Sequence, residues 1–298
     1  MMRKTVDWLV DRPWRMPVVF LLLAVVPDNS YVWLVAMVLT TALITFVCVR
    51  DGFGRALELM IGGLLLVAVV GYLMQRISAE AWFPRIDSRL VMWGPALFTG
   101  LVIRRTQSLV LGIQLLLLVA LAVVGVLFVL GDPIAFWAGQ SDLDTDLLRV
   151  LTGILGAAYL LCLIGGILLG RTGERMARDR RESAGGRRIT AQDGMPRSEF
   201  ASLAIGKVLA TAWALCFLVG VYDPAVYFAN AAWILAAGLA YQGLSVAQAW
   251  LQKRNMTGPW LPVMCVAMAV GMPVAVPLMA VLGFVDNWFD LRRRTSRG

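Results

Sequence analysis

The chain contains no histidine and has cysteine only at positions 48, 162, 216 and 265. Losing histidine removes the commonest general base and metal ligand. The cysteines form no C-x-x-C pair and lie in or beside apolar runs, so they read as small hydrophobes. Acid–base chemistry therefore falls to carboxylates. Asp286 and Asp290 stand one helical turn apart in "GFVDNWFDLRRRTSRG". A carboxylate pair can divide general-acid and general-base roles, but the arginines that follow make a cap or an ion pair the simpler reading. Glu58, one turn after Arg55, reads as an edge charge. Lys207 sits about two turns into an apolar run and is expected to snorkel out of it. No chain of intramembrane carboxylates is present, which argues against a proton-coupled pump.

Nucleotide and hydrolase signatures are also missing. "AIGKVLAT" carries Gly206–Lys207 without the upstream glycine and hydroxyl of a P-loop, and neither H-E-x-x-H nor G-x-S-x-G occurs. The reading is therefore a non-enzyme, with no catalytic residue, metal or cofactor.

Uncharged polar groups are better placed for binding a solute. "LVMWGPALFTGLVI" (90–103) contains Trp93 and Thr99 around Gly94–Pro95, a dipeptide that predicts a broken helix with exposed backbone groups. "AAWILAAGLAYQGLSVAQAW" (231–250) presents Tyr241, Gln242, Ser245 and Gln248 at helical spacing, and Gln114 lies in a third run. Together these seven residues are the expected substrate-binding set, suited to a small neutral solute. The competing reading is interhelical hydrogen bonding, at about 0.6 kcal/mol each.

The elements that must position them are membrane helices. The chain is 59% hydrophobic and 15% charged, with mean hydropathy +0.75. A soluble domain has about 45–50% and about 25%. Apolar runs fall near 16–27, 31–49, 56–74, 90–103, 108–130, 147–169, 200–221, 230–250 and 260–285. Spanning segments must be helical, because lipid cannot satisfy an open backbone. The expected fold is an all-α polytopic bundle of about 8–10 segments, some short or broken, in a single integral membrane domain over residues 1–298. The start, "MMRKTVDWLVDRPWR", reads as a retained first segment with no cleavage site.

The net charge of +8 follows the positive-inside rule and not nucleic-acid binding, since no aromatic platforms accompany the arginines. Loop charge places the N-terminus, 50–55, 104–107, 171–199 and 251–259 in the cytoplasm. Pro262, Pro273, Pro277 and Gly271 predict that 260–285 is a broken hairpin returning the basic tail (286–298) to that side. There Trp288 and Phe289 would meet the interface. Arg292, Arg293 and Arg294 would meet anionic headgroups at about 1 kcal/mol each. The loop 171–199, with Arg178, Arg180, Arg181, Arg187 and Arg188, is the expected docking surface for lipid or a partner, and its first half is expected to form a short surface helix. Gly166/Gly170 and Ala236/Ala240 have the four-residue spacing of close helix contacts.

Three stretches together, "RDGFGRALEL", "AYQGLSVAQAW" and "LGFVDNWFDLRRR", resemble the YybS-like family of bacterial inner-membrane proteins, which has no assigned reaction. The arginine-rich loop has no counterpart in that pattern. The resemblance implies a multi-pass protein of the bacterial inner membrane. That family is distantly similar to the substrate-binding subunits of energy-coupling-factor vitamin transporters, which work with a separate ATPase and a coupling subunit. The A-x-x-x-A docking pattern of such subunits is absent from 16–27. Two functions follow as expectations. The first is a small-solute-binding transporter subunit energised by partners. The alternative is a structural or assembly protein that recruits partners through its arginine-rich loop. The oligomeric state is left open.

Overall fold

The computed structural model describes residues 2–12, 14–28, 32–75, 86–131, 145–184, 203–222, 226–253, 268 and 271–292. They form ten helices: α1 (Met2–Asp11), α2 (Arg15–Ala24), α3 (Trp33–Arg50), α4 (Phe53–Gln75), α5 (Ile86–Thr106), α6 (Leu109–Leu130), α7 (Thr145–Ala184), α8 (Lys207–Tyr222), α9 (Val226–Lys253) and α10 (Met272–Phe289). No strand occurs among the described residues. The fold is the expected all-helical, membrane-type bundle. Six helices are long and apolar enough to cross a membrane: α3, α4, α6, α7, α9 and α10. α2 and α8 are apolar but shorter, and α5 carries Asp87, Arg89, Arg104 and Arg105 near its ends. The chain divides into two compact units, Met1–Gly112 with Cys162–Pro196, and Ile113–Leu161 with Arg197–Gly298.

In the first unit, α3 is the central helix, with Ile44 and Cys48 fully buried. α5 lies parallel to it. Trp93 meets Thr40, Gly100 meets Cys48, and Arg104 meets Cys48 and Gly52, so the two sequences advance together. α7 also runs parallel to α3. A Cβ on Gly166 would sit 2.8 Å from Thr41 Cβ, and one on Gly170 would overlap the carbonyl of Ala42. The expected close approach at Gly166 and Gly170 is thus made to α3.

The structure corrects three expectations. α5 is continuous through Pro95, so Gly94–Pro95 does not break it. Trp93 before the proline, bonded to Thr40, and the Leu97 carbonyl after it, bonded by Cys48, hold the helix against α3 on both sides of the proline. α7 continues to Ala184, so 171–184 is not loop but the end of a 40-residue helix, about 60 Å long at 1.5 Å per residue. The seventh segment is not helical from 200: residues 203–206 are non-helical and Lys207 opens α8. The short α1 is an unforeseen element. It buries Val6 and leaves Trp8 half exposed, with the Arg15 guanidinium stacked 4.7 Å from the Trp8 ring centroid.

In the second unit, α8 and α9 form an antiparallel pair, and Gly220 lets α8 approach Ala229 Cα (2.9 Å from an added Cβ). α10 is antiparallel to α8, through Trp213–Phe284 (5.7 Å between centroids) and Lys207–Trp288 (5.4 Å). α10 is parallel to α9. A Cβ on Gly243 would overlap the carbonyl of Met279, and one on Gly283 would overlap the carbonyl of Leu239. Each glycine therefore faces the turn preceding the other, which only side-by-side parallel helices allow, because Cβ leans toward the helix N-terminus. The end of α10 consequently lies at the same end of this unit as the end of α9. Gly271 is the N-cap residue of α10, and Pro273 sits in its first turn, where a missing N–H costs nothing. Pro277, expected to help break the run, lies inside the continuous α10, and the part of the expected hairpin before Gly271 lies outside the described residues apart from Met268. Ala236 and Ala240 are buried on α9.

Candidate functional site

The second unit contains a buried ionic network at the end where α6 and α8 begin and α9 and α10 finish. Its anion is Asp286, 1% exposed, in the last turn of α10. After Phe289 the chain reverses at Asp290, whose left-handed conformation (φ 47°, ψ 49°) closes the helix. That reversal brings Arg292 back over Asp286. The guanidinium lies 2.7 Å from Asp286 Oδ2, and the Arg292 backbone N–H donates to Oδ1 at 3.4 Å. The same guanidinium donates to the carbonyl of Leu203 at 2.9 Å and to Ser245 Oγ at 3.5 Å.

Gln242, one turn before the end of the buried stretch of α9, joins the parts. Its Nε2 donates to Asp286 Oδ2 at 3.0 Å. Its Oε1 accepts from the Ile205 N–H at 2.9 Å and from Asn287 Nδ2 at 3.3 Å. Ser245 Oγ donates to the Gln242 carbonyl at 2.7 Å. Gln114 on α6 donates to the Ile205 carbonyl at 2.6 Å. The non-helical segment Leu203–Gly206 is thus held by side chains on both its N–H and C=O groups, which replace the helical bonds it lacks. Gly206, at φ +96°, makes the turn into α8 that this requires.

Of the residues the sequence singled out, Gln114, Gln242 and Ser245 belong to this network. Tyr241 lies in the same unit but donates its hydroxyl to the Leu161 carbonyl. Gln248 is partly buried, and its Oε1 has no partner among the described residues. Trp93 and Thr99 belong to the other unit. Trp93 is fully buried, donates to Thr40 Oγ1 at 3.0 Å and packs against Phe20, with centroids 4.9 Å apart. The Thr99 hydroxyl is buried without a partner among the described residues. Trp288 is half exposed and Arg178 is exposed. Arg180 and Arg181 fall in the last turns of α7. Arg187, Arg188, Arg293 and Arg294 lie outside the described residues. Lys207 is exposed at the start of α8, as a snorkelling residue would be, and Glu58 is exposed on α4.

The sequence suggested a cap or an ion pair with the following arginines for Asp286, and the ion pair is made, to Arg292; its burial and the role of Asn287 were passed over. The signal was available: "VDNW" places two polar side chains inside the last helical turn of an apolar run, and an ionisable residue there is a functional candidate by default. In the first unit buried Arg89 pairs with half-buried Asp28, and Arg171 pairs with Glu174 at 2.8 Å, both buried. Among the described residues no group of three or more cysteine or carboxylate side chains is arranged to hold a metal ion.

Fold and site together define a class, a multi-pass helical membrane protein with a buried, fully bonded ion pair at one end of a helical unit. No protein-family model, no curated protein and no solved structure matches the chain.

Proposed function

We propose that this chain is a membrane transport component that binds a small polar solute at the Asp286–Gln242–Ser245 network of its second unit. The observation that carries the reading is Asp286. A carboxylate 1% exposed in an apolar helix is a functional candidate by default, and here Gln114 of α6, Gln242 of α9 and Arg292 converge on the backbone segment beside it. The 298 residues contain no P-loop, so energy would come from a separate ATPase through a coupling subunit, as the likeness to the YybS-like family also suggests. On this reading the protein resides in the bacterial inner membrane with its N-terminus in the cytoplasm. The test is native mass spectrometry of the protein in mild detergent, followed by equilibrium binding over vitamins, nucleobases and amino acids. A stoichiometric metabolite, or an ATPase that co-purifies, supports the reading. Absence of any saturable ligand removes it.

A second reading rests on α7. Its last turns carry Arg175, Arg178, Arg180 and Arg181, and an assembly protein would dock partners there. Retained function after deletion of 174–196 would remove that reading.

A further inference from the structure

We propose that the acceptor cradle around Asp286 is a binding site for a guanidinium or primary ammonium solute, and that Arg292 is its tethered stand-in. The inference rests on the solute-binding reading above and deepens it. Three acceptors from three separate elements meet on one cation: the Asp286 carboxylate of α10, the Leu203 carbonyl before α8, and the Ser245 hydroxyl of α9. Leu203 and Ser245 are fully buried. A planar cation with several donors is what such a set of acceptors recognises.

The cradle is held in place without help from Arg292. Gln242 fixes Asp286, the Ile205 N–H and Asn287 fix Gln242, and Gln114 fixes the Ile205 carbonyl. The occupant, in contrast, reaches it through a single reversal at Asp290, exposed and in the left-handed region. A change of backbone conformation at Asp290 would withdraw the guanidinium and the Arg292 N–H together, while Gln242 still holds Asp286 Oδ2. A buried carboxylate left bare is strongly unfavourable, so the tail leaves when another cation arrives. Solute entry and tail release are therefore one exchange. The Arg292 side chain is 16% exposed against 1% for Asp286, which places the entrance on the tail side of the cradle.

The experiment is equilibrium binding of radiolabelled methylguanidinium to the detergent-purified full chain, with neutral methylurea as the isosteric competitor. Removing the stand-in by Arg292→Gln is expected to tighten binding about tenfold if the cradle is free one-tenth of the time in the unaltered protein. Methylurea is expected not to compete, and adding Asp286→Asn to Arg292→Gln is expected to abolish binding. Asp290→Val, which disfavours the reversal while keeping every cradle side chain, is expected to give the same gain and serves if Arg292→Gln does not fold. Unchanged affinity in both single variants, competition by methylurea, or binding that survives Asp286→Asn would overturn the proposal. A solute that binds the unaltered protein and is indifferent to methylguanidinium would remove this inference and leave the transport reading standing.

Discussion

Asn230 bonds to both partners of a single helical rung in α7. Its Nδ2 donates to the Arg149 carbonyl at 2.7 Å, and its Oδ1 accepts from the Gly153 N–H. In an α-helix that carbonyl and that N–H are each other's partners, so the start of α9 is sewn into the backbone of α7. Gly153 makes this possible, since a Cβ there would lie 2.6 Å from Asn230 Cα. Asn230→Leu should remove all three bonds of a fully buried amide, including that to the Val226 carbonyl. The expected loss is about 1–3 kcal/mol of stability, read as a lowered thermal midpoint in detergent. Gly153→Ala should lower it by overlap alone.

Arg89 is 1% exposed and gathers the end of α2. Its guanidinium donates to the Ala24 carbonyl at 3.3 Å, to the Val26 carbonyl and to Asp28, and to Ser88 Oγ at 3.0 Å. The last carbonyls of a helix have no partner within it, and Arg89 supplies one from α5. Arg89→Ala should cost about 3–5 kcal/mol, because it strips a buried pair of one member. Arg89→Lys should recover only part of this, since one ammonium cannot span the same acceptors. Equal midpoints for the lysine variant and the unaltered protein would contradict the fork geometry.

The contact between α9 and α10 is backbone on backbone. Gly243→Ala and Gly283→Ala should each destabilise by about 1–3 kcal/mol through overpacking. Gly62→Ala is the control: a Cβ there meets nothing within 4 Å, and it should be neutral or slightly stabilising. Thermal midpoints of the three variants check the contrast.

Parallel packing of α9 and α10 makes a topological prediction. In a background without the four native cysteines, Gln252→Cys and Asp290→Cys should react with an impermeant maleimide from the same membrane face. Reaction from opposite faces would contradict the Gly243–Gly283 register.

The helices were legible because apolar runs of membrane length leave the backbone no other structure. Gly166 and Gly170 announced a close contact by spacing alone, although α3 as their partner could not be read from it. Gln114, Gln242 and Ser245 drew notice as polar groups in apolar runs, and they share one network. Asp286 forms the ion pair expected of it, with Arg292, but its burial was not legible because its other partner is non-local. The bond from Gln242 spans 44 residues, and the arginines immediately after Asp286 offered an easier account, half of which holds. Trp93 was read as part of an opened helix because Gly–Pro is a break signal locally. Tertiary packing of α5 on α3 overrode it and turned the same tryptophan into core. α1 escaped notice because ten residues with four charges carry no membrane signal.

Side-by-side parallel helices carry an electrostatic consequence. Each α-helix ends in about half a negative charge from its aligned peptide dipoles, and parallel neighbours bring those charges together. α3 ends on Arg50, and α5 has Arg104 and Arg105 in its last turn. Arg104 goes further and donates directly to the Cys48 carbonyl of α3 at 3.3 Å. These arginines therefore offset the field of the aligned dipoles, and neutralising Arg104 should weaken the pairing of α3 and α5.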